Sequence, residues 1–138
     1  MKKLDGKIAF ITGAASGIGK ATAAKFIAEG ARVYTIDLNE EALKAMQAEF
    51  GADKFAWQAG SVADEAAVDK AFADCAEKFG EVDILVNNAG LGIPTPDLSN
   101  TSLADYRKMV DVNMTGVFLA SRAALRQMKV RGKGHILN

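Results

Sequence analysis

Short, almost unbroken apolar runs alternate along the chain with longer stretches in which apolar residues return every three or four positions. The runs Lys7 to Thr12, Arg32 to Ile36, Phe55 to Gln58, Ile84 to Asn87 and His135 to Asn138 read as strands covered on both faces, because a half-exposed strand would alternate apolar and polar residues. After the first run, Ala23, Phe26 and Ile27 fall four, seven and eight residues beyond Gly19, with Gly30 as a stop. That spacing predicts a helix. Asn39 caps a second predicted helix with Leu43, Met46 and Phe50 on one face and Gly51 at its end, and Asp64 caps a third carrying Val68, Phe72, Cys75 and Phe79 up to Gly80, each with the cap and stop chemistry that helix ends require. Regular β-α alternation of this kind predicts an α/β fold with a parallel sheet, right-handed crossovers and helices on both faces.

The pattern changes after the fourth run. Gly90 to Asn100 contains both prolines, Pro94 and Pro96, and reads as a loop at the carboxyl end of a strand, where open α/β sheets place ligands. A long helix then starts near Thr101 or Ser102 with Leu103, Tyr106, Val110 and Val117 in one row. Asn113 falls in that same row with Gly116 just beyond it, and both residues weaken a helix. There is no internal repeat, low-complexity segment or linker, and 138 residues fit a single domain spanning 1–138.

Charge and cysteine content exclude several classes. Lys+Arg and Asp+Glu each number 17, so no net field calls for a nucleic acid or a membrane surface. No run approaches the ~20 apolar residues that span a bilayer. The single cysteine, Cys75, has no internal disulfide partner and sits on an apolar helix face, which reads as core packing in a reducing, cytoplasmic setting. The sole histidine, His135, opens the last strand and reads as structural. No metal is called for.

The candidate chemistry lies between the first strand and the first helix, where residues 12 to 19 read Thr-Gly-Ala-Ala-Ser-Gly-Ile-Gly. A helix N-terminus presents unpaired N–H groups and partial positive charge, and Gly13, Gly17 and Gly19 let a pyrophosphate approach the backbone. Asp37, eighteen residues past Gly19 at the end of the second strand, stands where a carboxylate accepts hydrogen bonds from an adenosine ribose. It could also cap the helix near Asn39, and the two roles can coexist. A carboxylate there repels the extra phosphate of NADP, and Ser16 offers no cation to offset it, so the reading is NAD. A Walker phosphate loop fails on the spacing of Gly13 to Gly19-Lys20 and on Ala21 in place of a hydroxyl.

With these motifs in place the whole chain resembles the short-chain dehydrogenase/reductase family. The turn Thr12 to Gly19 matches the family's Thr-Gly-x-x-x-Gly-x-Gly, and Asn87 to Gly90 matches its Asn-Asn-Ala-Gly. The resemblance implies a Rossmann-type doubly wound sheet in the order 3-2-1-4-5. It implies cofactor binding by Gly13, Ser16, Gly17, Ile18, Gly19, Asp37, Ser61, Val62, Asn88, Ala89 and Gly90, with Asn87 and Thr12 tying strand ends together. The family's catalytic asparagine maps onto Asn113, which accounts for the amide in the apolar row. By the same resemblance the complete protein transfers a hydride between the nicotinamide and an alcohol or ketone, and copies pair through the Leu103 to Lys129 region as a homo-oligomer.

The chain departs from the family pattern at two places. Ser61-Val62 replaces the usual Asp-Val, which removes a charge from the adenine end and weakens cofactor affinity. The family's serine and its tyrosine with a lysine four residues on cannot be located: Tyr34 lies in a strand, and Tyr106 is followed four residues later by Val110. The chain therefore reads as an amino-terminal portion, inactive alone, whose fifth strand presents an unpaired edge that favours association. The rival reading is a non-catalytic nucleotide-binding or partner-binding module.

Overall fold

The computed structural model describes residues 2–92 and 97–138; Pro94 and Pro96 lie outside the described residues. The elements run β1 (Ile8–Thr12), α1 (Gly17–Ala28), β2 (Arg32–Asp37), α2 (Glu40–Phe50), β3 (Phe55–Ala59), α3 (Glu65–Lys78), β4 (Ile84–Val86), α4 (Leu103–Val110), α5 (Gly116–Arg131) and β5 (His135–Leu137). All strand pairs are parallel, in the order β3-β2-β1-β4-β5. This is the doubly wound sheet that the alternation and the resemblance imply.

Alternation along β1 divides the core in two. Ile8 and Phe10 join Tyr34 and Ile36 on the face covered by α3 and α5, whereas Ala9 and Ile11 join Val33 and Phe55 under α1 and α2. Successive strand side chains point to opposite faces, so a central strand must be apolar throughout. Phe10 stacks on Phe72 of α3 with ring centroids 4.0 Å apart and on Tyr34 at 5.5 Å. The Tyr34 hydroxyl reaches out of this core to donate to Asp74 Oδ2 at 2.6 Å. Burial and that carboxylate push its pKa well above the usual tyrosine range. The thiol of Cys75 is buried beside them, and burial pushes its pKa up to about 12, which fits a packing role.

The caps sit where the sequence puts them: Asn39 accepts from the Ala42 N–H and Asp64 from the Ala67 N–H, both at 3.1 Å. The fourth helical segment departs from the expectation of one long helix. Ser102 caps α4, but Asp111–Thr115 form a π-helical turn before α5 begins. A π turn holds one residue more than an α turn and so rotates the following helix relative to the preceding one. The expected apolar row is therefore not the buried one. Leu103 and Tyr106 are exposed and Val110 and Val117 half-buried, while α5 buries Leu119, Ala120, Ala123, Ala124 and Met128. Gly116 is required by packing, because a Cβ there would stand 2.7 Å from Val62 Cγ2.

At the opposite end of the sheet from these loops, Arg131 closes α5 onto the start of β4. Its guanidinium bonds Asp83 at 3.0 Å and the Val82 carbonyl, while Asp83 also accepts from the Ile8 N–H at 3.1 Å. Burial raises the Asp83 pKa, but the Ile8 N–H and Arg131 outweigh it and hold the carboxyl below its ordinary value. A carboxyl lowered in the folded state stabilises the fold above its unfolded value of about 4 and loses that contribution as pH falls through the folded value. We expect Asp83→Asn to cost about 1–3 kcal/mol at neutral pH and to flatten the loss of stability in acid. Urea unfolding of both chains at neutral and acidic pH checks this; parallel pH profiles would contradict it.

Candidate functional site

The ends of β1 and β4 meet through five hydrogen bonds, one of them from the Thr12 hydroxyl to the Val86 carbonyl at 3.5 Å. Thr12 Oγ1 accepts from the backbone N–H groups of Asn88 and Ala89 at 3.0 and 2.9 Å, and Asn88 Nδ2 donates to the carbonyls of Thr12 and Gly13 at 3.1 and 3.0 Å. Asn87 turns the other way, bonding Ser121 Oγ at 3.1 Å and Asn138 Oδ1 at 2.8 Å. Thr12 and Asn87 thus tie strand ends together. The carboxamide nitrogen of Asn88 is spent on the glycine turn.

That turn is fixed from beneath. Thr35 Oγ1 accepts from the Ala14 N–H, and Asp37 Oδ2 accepts from the Ala15 N–H at 3.0 Å. Gly13 has φ +70°, and a Cβ there would come within 2.9 Å of Ala89 Cα. The backbone adopts a conformation open to glycine and leaves no room for a side chain. Gly19 lies under the turn against the Gly13 carbonyl and the Asn88 amide, so it seats the helix and does not line the cleft.

Above the turn, α1 starts at Ser16 with no side-chain cap and no acid in its first turn. By contrast α2, α3 and α4 are capped by Asn39, Asp64 and Ser102. The N-terminal dipole of α1 thus faces the cleft with no side-chain oxygen on its first-turn N–H groups, which is the chemistry of an anion site.

A cleft of about 490 Å³ opens here, lined by Gly13, Ser16, Gly17, Ile18, Asp37, Ser61, Val62, Asn88, Ala89 and Gly90. The sequence-derived residues other than Gly19 and Asn113 therefore share one surface. Asp37 has one oxygen on Ala15 and the other on the Asn39 N–H at 3.0 Å, so it braces both the glycine turn and the start of α2. Each carboxylate oxygen keeps a further lone pair for a hydroxyl in the cleft. Asn113 stands behind the wall: its amide exchanges two bonds of 2.8 Å with the backbone of Leu91, accepting from the N–H and donating to the carbonyl. It is exposed, so it is no stray buried amide.

Sequence reading missed Leu38, Lys108 and Val112, which also line the cleft, whereas Leu91 lines it from the Gly90 to Asn100 loop that the sequence placed at the ligand end of the sheet. Lys108 and Val112 are four residues apart across the α4 and π-turn junction, a spacing that puts them on one face. Without the π turn in view, nothing in the sequence directs that face toward the cleft. Neither tyrosine stands on the cleft. Tyr34 is buried in β2 with its hydroxyl on Asp74, and Tyr106 is exposed on α4.

Residues 7–138 match the short chain dehydrogenase family. The chain is 42% identical over 138 residues to a D-threitol dehydrogenase of Mycolicibacterium smegmatis, covering 99% of this chain and 53% of that protein. It is 40% identical over 133 residues to an NAD(+)-named 2-dehydro-3-deoxy-L-rhamnonate dehydrogenase of a Sphingomonas species, covering 96% and 53%. Among solved structures it is similar to a 3-ketoacyl-(acyl-carrier-protein) reductase from Brucella melitensis complexed with NADH, with TM-score 0.90, 36% identity, and coverage of 94% of this chain and 53% of that one. The chain spans about half the length of the relatives it matches. With the family match running from residue 7 to residue 138, the chain belongs to the short chain dehydrogenase family.

Proposed function

We propose that this chain is the NAD-binding portion of an oxidoreductase that transfers a hydride between a nicotinamide cofactor and a small alcohol or ketone. The observation that carries the reading is the uncapped start of α1 opening onto the same cleft as Asp37. In it the N–H groups of Gly17 and Ile18 would hold the pyrophosphate, with Gly19 seating the helix beneath them, and Asp37 would accept from the adenosine ribose. Ser61 and Val62 stand beside the base, and Asn88, Ala89 and Gly90 line the path toward the nicotinamide. The bound dinucleotide supplies the hydride acceptor or donor, while the protein orients it and shields it from water. Asn113, by fixing Leu91, sets the wall beside which a water chain relays the proton in the complete protein.

Asp37 also favours NAD over NADP, since its charge meets a 2′-phosphate at close range. The free thiol of Cys75 and the balanced charge support a cytoplasmic setting. A second reading, a nucleotide-binding module without catalysis, is favoured by one observation: neither tyrosine of the chain can act as the acid. Tyr34 is locked on Asp74 with a raised pKa, and Tyr106 has Val110 where the family has lysine.

The exposed face of α5 supports self-association. Phe118, Leu125 and Val130 are 58%, 44% and 85% exposed and line a groove of about 580 Å³ together with Arg122, Arg126 and Lys129. Apolar side chains grouped on one helix face in this way mark a contact surface.

Three outcomes follow from this reading. Asp37→Ala loosens NADH by about tenfold and narrows the preference over NADPH, as expected from losing a charged acceptor; fluorescence titration with both cofactors checks it, and an unchanged ratio would return Asp37 to bracing alone. The 138-residue chain shows no ketone reduction at an enzymatic rate, because losing a positioned acid costs about 10² to 10⁴; robust NADH-dependent turnover insensitive to Asn113→Ala would overturn the assignment. In sedimentation velocity the chain associates as concentration rises, and Phe118→Glu with Leu125→Lys weakens that association. A monomer at every concentration would remove the oligomer from the proposal.

A further inference from the structure

Two charged side chains line the cleft, Asp37 and Lys108. Asp37 has its bracing partners, whereas Lys108 enters none of the ion pairs among the described residues. If pyrophosphate sits on α1 and ribose on Asp37, covalent connectivity leaves the base on the far side of Asp37 from the glycine turn. Leu38, Ser61, Val62, Lys108 and Val112 line this same cleft, and Val112 packs in one apolar cluster with Val62. The Gly60 N–H donates to the Asp37 carbonyl at 3.0 Å, which holds Ser61 beside the ribose position. Leu38, Val62 and Val112 offer apolar surface to a flat ring, and the polar groups beside them are the Ser61 hydroxyl and the Lys108 ammonium.

Both of these can donate toward the base. The Ser61 oxygen already accepts from the Ala63 N–H at 3.1 Å, so its one proton is directed away from the turn. An ammonium has three donors and no acceptor. A carboxylate at position 61 would do the opposite, accepting from a 6-amino group and repelling a 6-carbonyl oxygen. A 6-oxopurine presents O6 and N7 as adjacent acceptors, an edge that lysine matches well. We propose that the base pocket accepts a 6-oxopurine as readily as adenine, with Ser61 and Lys108 donating to O6 and N7. The proposal rests on the dinucleotide reading of the cleft and names a selectivity that the reading alone does not contain.

The test is a fluorescence titration with NADH and with its reduced analogue carrying hypoxanthine in place of adenine, on the full chain and two variants. The full chain is expected to bind the two within about threefold of each other. Ser61→Asp shifts the ratio toward adenine by about tenfold, and Lys108→Gln shifts it the same way by about threefold. Aspartate can accept from the same Ala63 N–H in an Asx turn, and far-UV circular dichroism confirms that each variant is folded. A preference for adenine of about tenfold or more in the unsubstituted chain, or a ratio that Ser61→Asp leaves unchanged, overturns the proposal while the NAD reading stands. A folded chain that binds neither dinucleotide overturns both.

Discussion

The cleft depends on the exchange of hydrogen bonds between Thr12 and Asn88. β1 and β4 are neighbours in the sheet, but their pairing ends at Ile11 and Val86, and beyond it each strand would diverge with unpaired backbone groups. The Thr12 hydroxyl takes two N–H groups from the β4 side, and the Asn88 amide returns two donors to the carbonyls of the β1 side. Each such bond contributes only about 0.5–1.5 kcal/mol net, yet together they hold Gly13 against Ala89 at a distance that excludes a Cβ. Side-chain chemistry here continues the sheet past the point where backbone pairing stops. The glycine turn can therefore be rigid without being occupied by its own side chains.

Rigidity matters because the start of α1 is costly to leave bare. An N-cap oxygen contributes about 0.5–2 kcal/mol, and α2, α3 and α4 all carry one. At α1 the sequence has Ser16 in the cap position, a residue well suited to capping, but its side chain makes no such bond. The turn compensates through other contacts: Ala14 and Ala15 donate to Thr35 and Asp37, so the two preceding N–H groups are satisfied and the dipole of α1 stays open to the cleft. Asp37 consequently has two duties that pull together. The carboxylate that steadies the turn also sets the sign of charge met by whatever lies beside it.

Strands, caps and the two-sided core were legible because each rests on a local rule. A two-faced strand must be apolar at every position, and Asn39 and Asp64 precede their helices with an oxygen at the right distance. The glycine turn and Asp37 were legible for the same reason, through turn chemistry and a strand end, whereas Ser61, Val62 and Asn88 to Gly90 came from the family resemblance. The segment after residue 100 was not, because a π turn is one inserted residue whose effect is global. Leu103 and Tyr106 follow the same periodicity as a buried row, and periodicity alone does not show that the helix rotates at Asp111–Thr115 before reaching the sheet. Lys108 went unnoticed for the same reason.

Seen through the packing, the π turn and Gly116 solve one geometric problem. α5 must lie close enough to the sheet for Leu119, Ala120, Ala123 and Ala124 to be buried, and its first residue meets Val62 with no space for a Cβ. α4, by contrast, stands away from the sheet and brings Lys108 and, through the π turn, Val112 to the cleft rim. One continuous α-helix has a single rotational phase and would have to sacrifice one of these contacts. Widening a single turn gives each half its own phase, and the wider turn is where Asn113 can send both amide groups sideways to Leu91. The polar residue that breaks the apolar row is thus the one that fastens the β4 loop to the helix, so the register of α5 on the sheet and the position of the cleft wall are set by the same five residues.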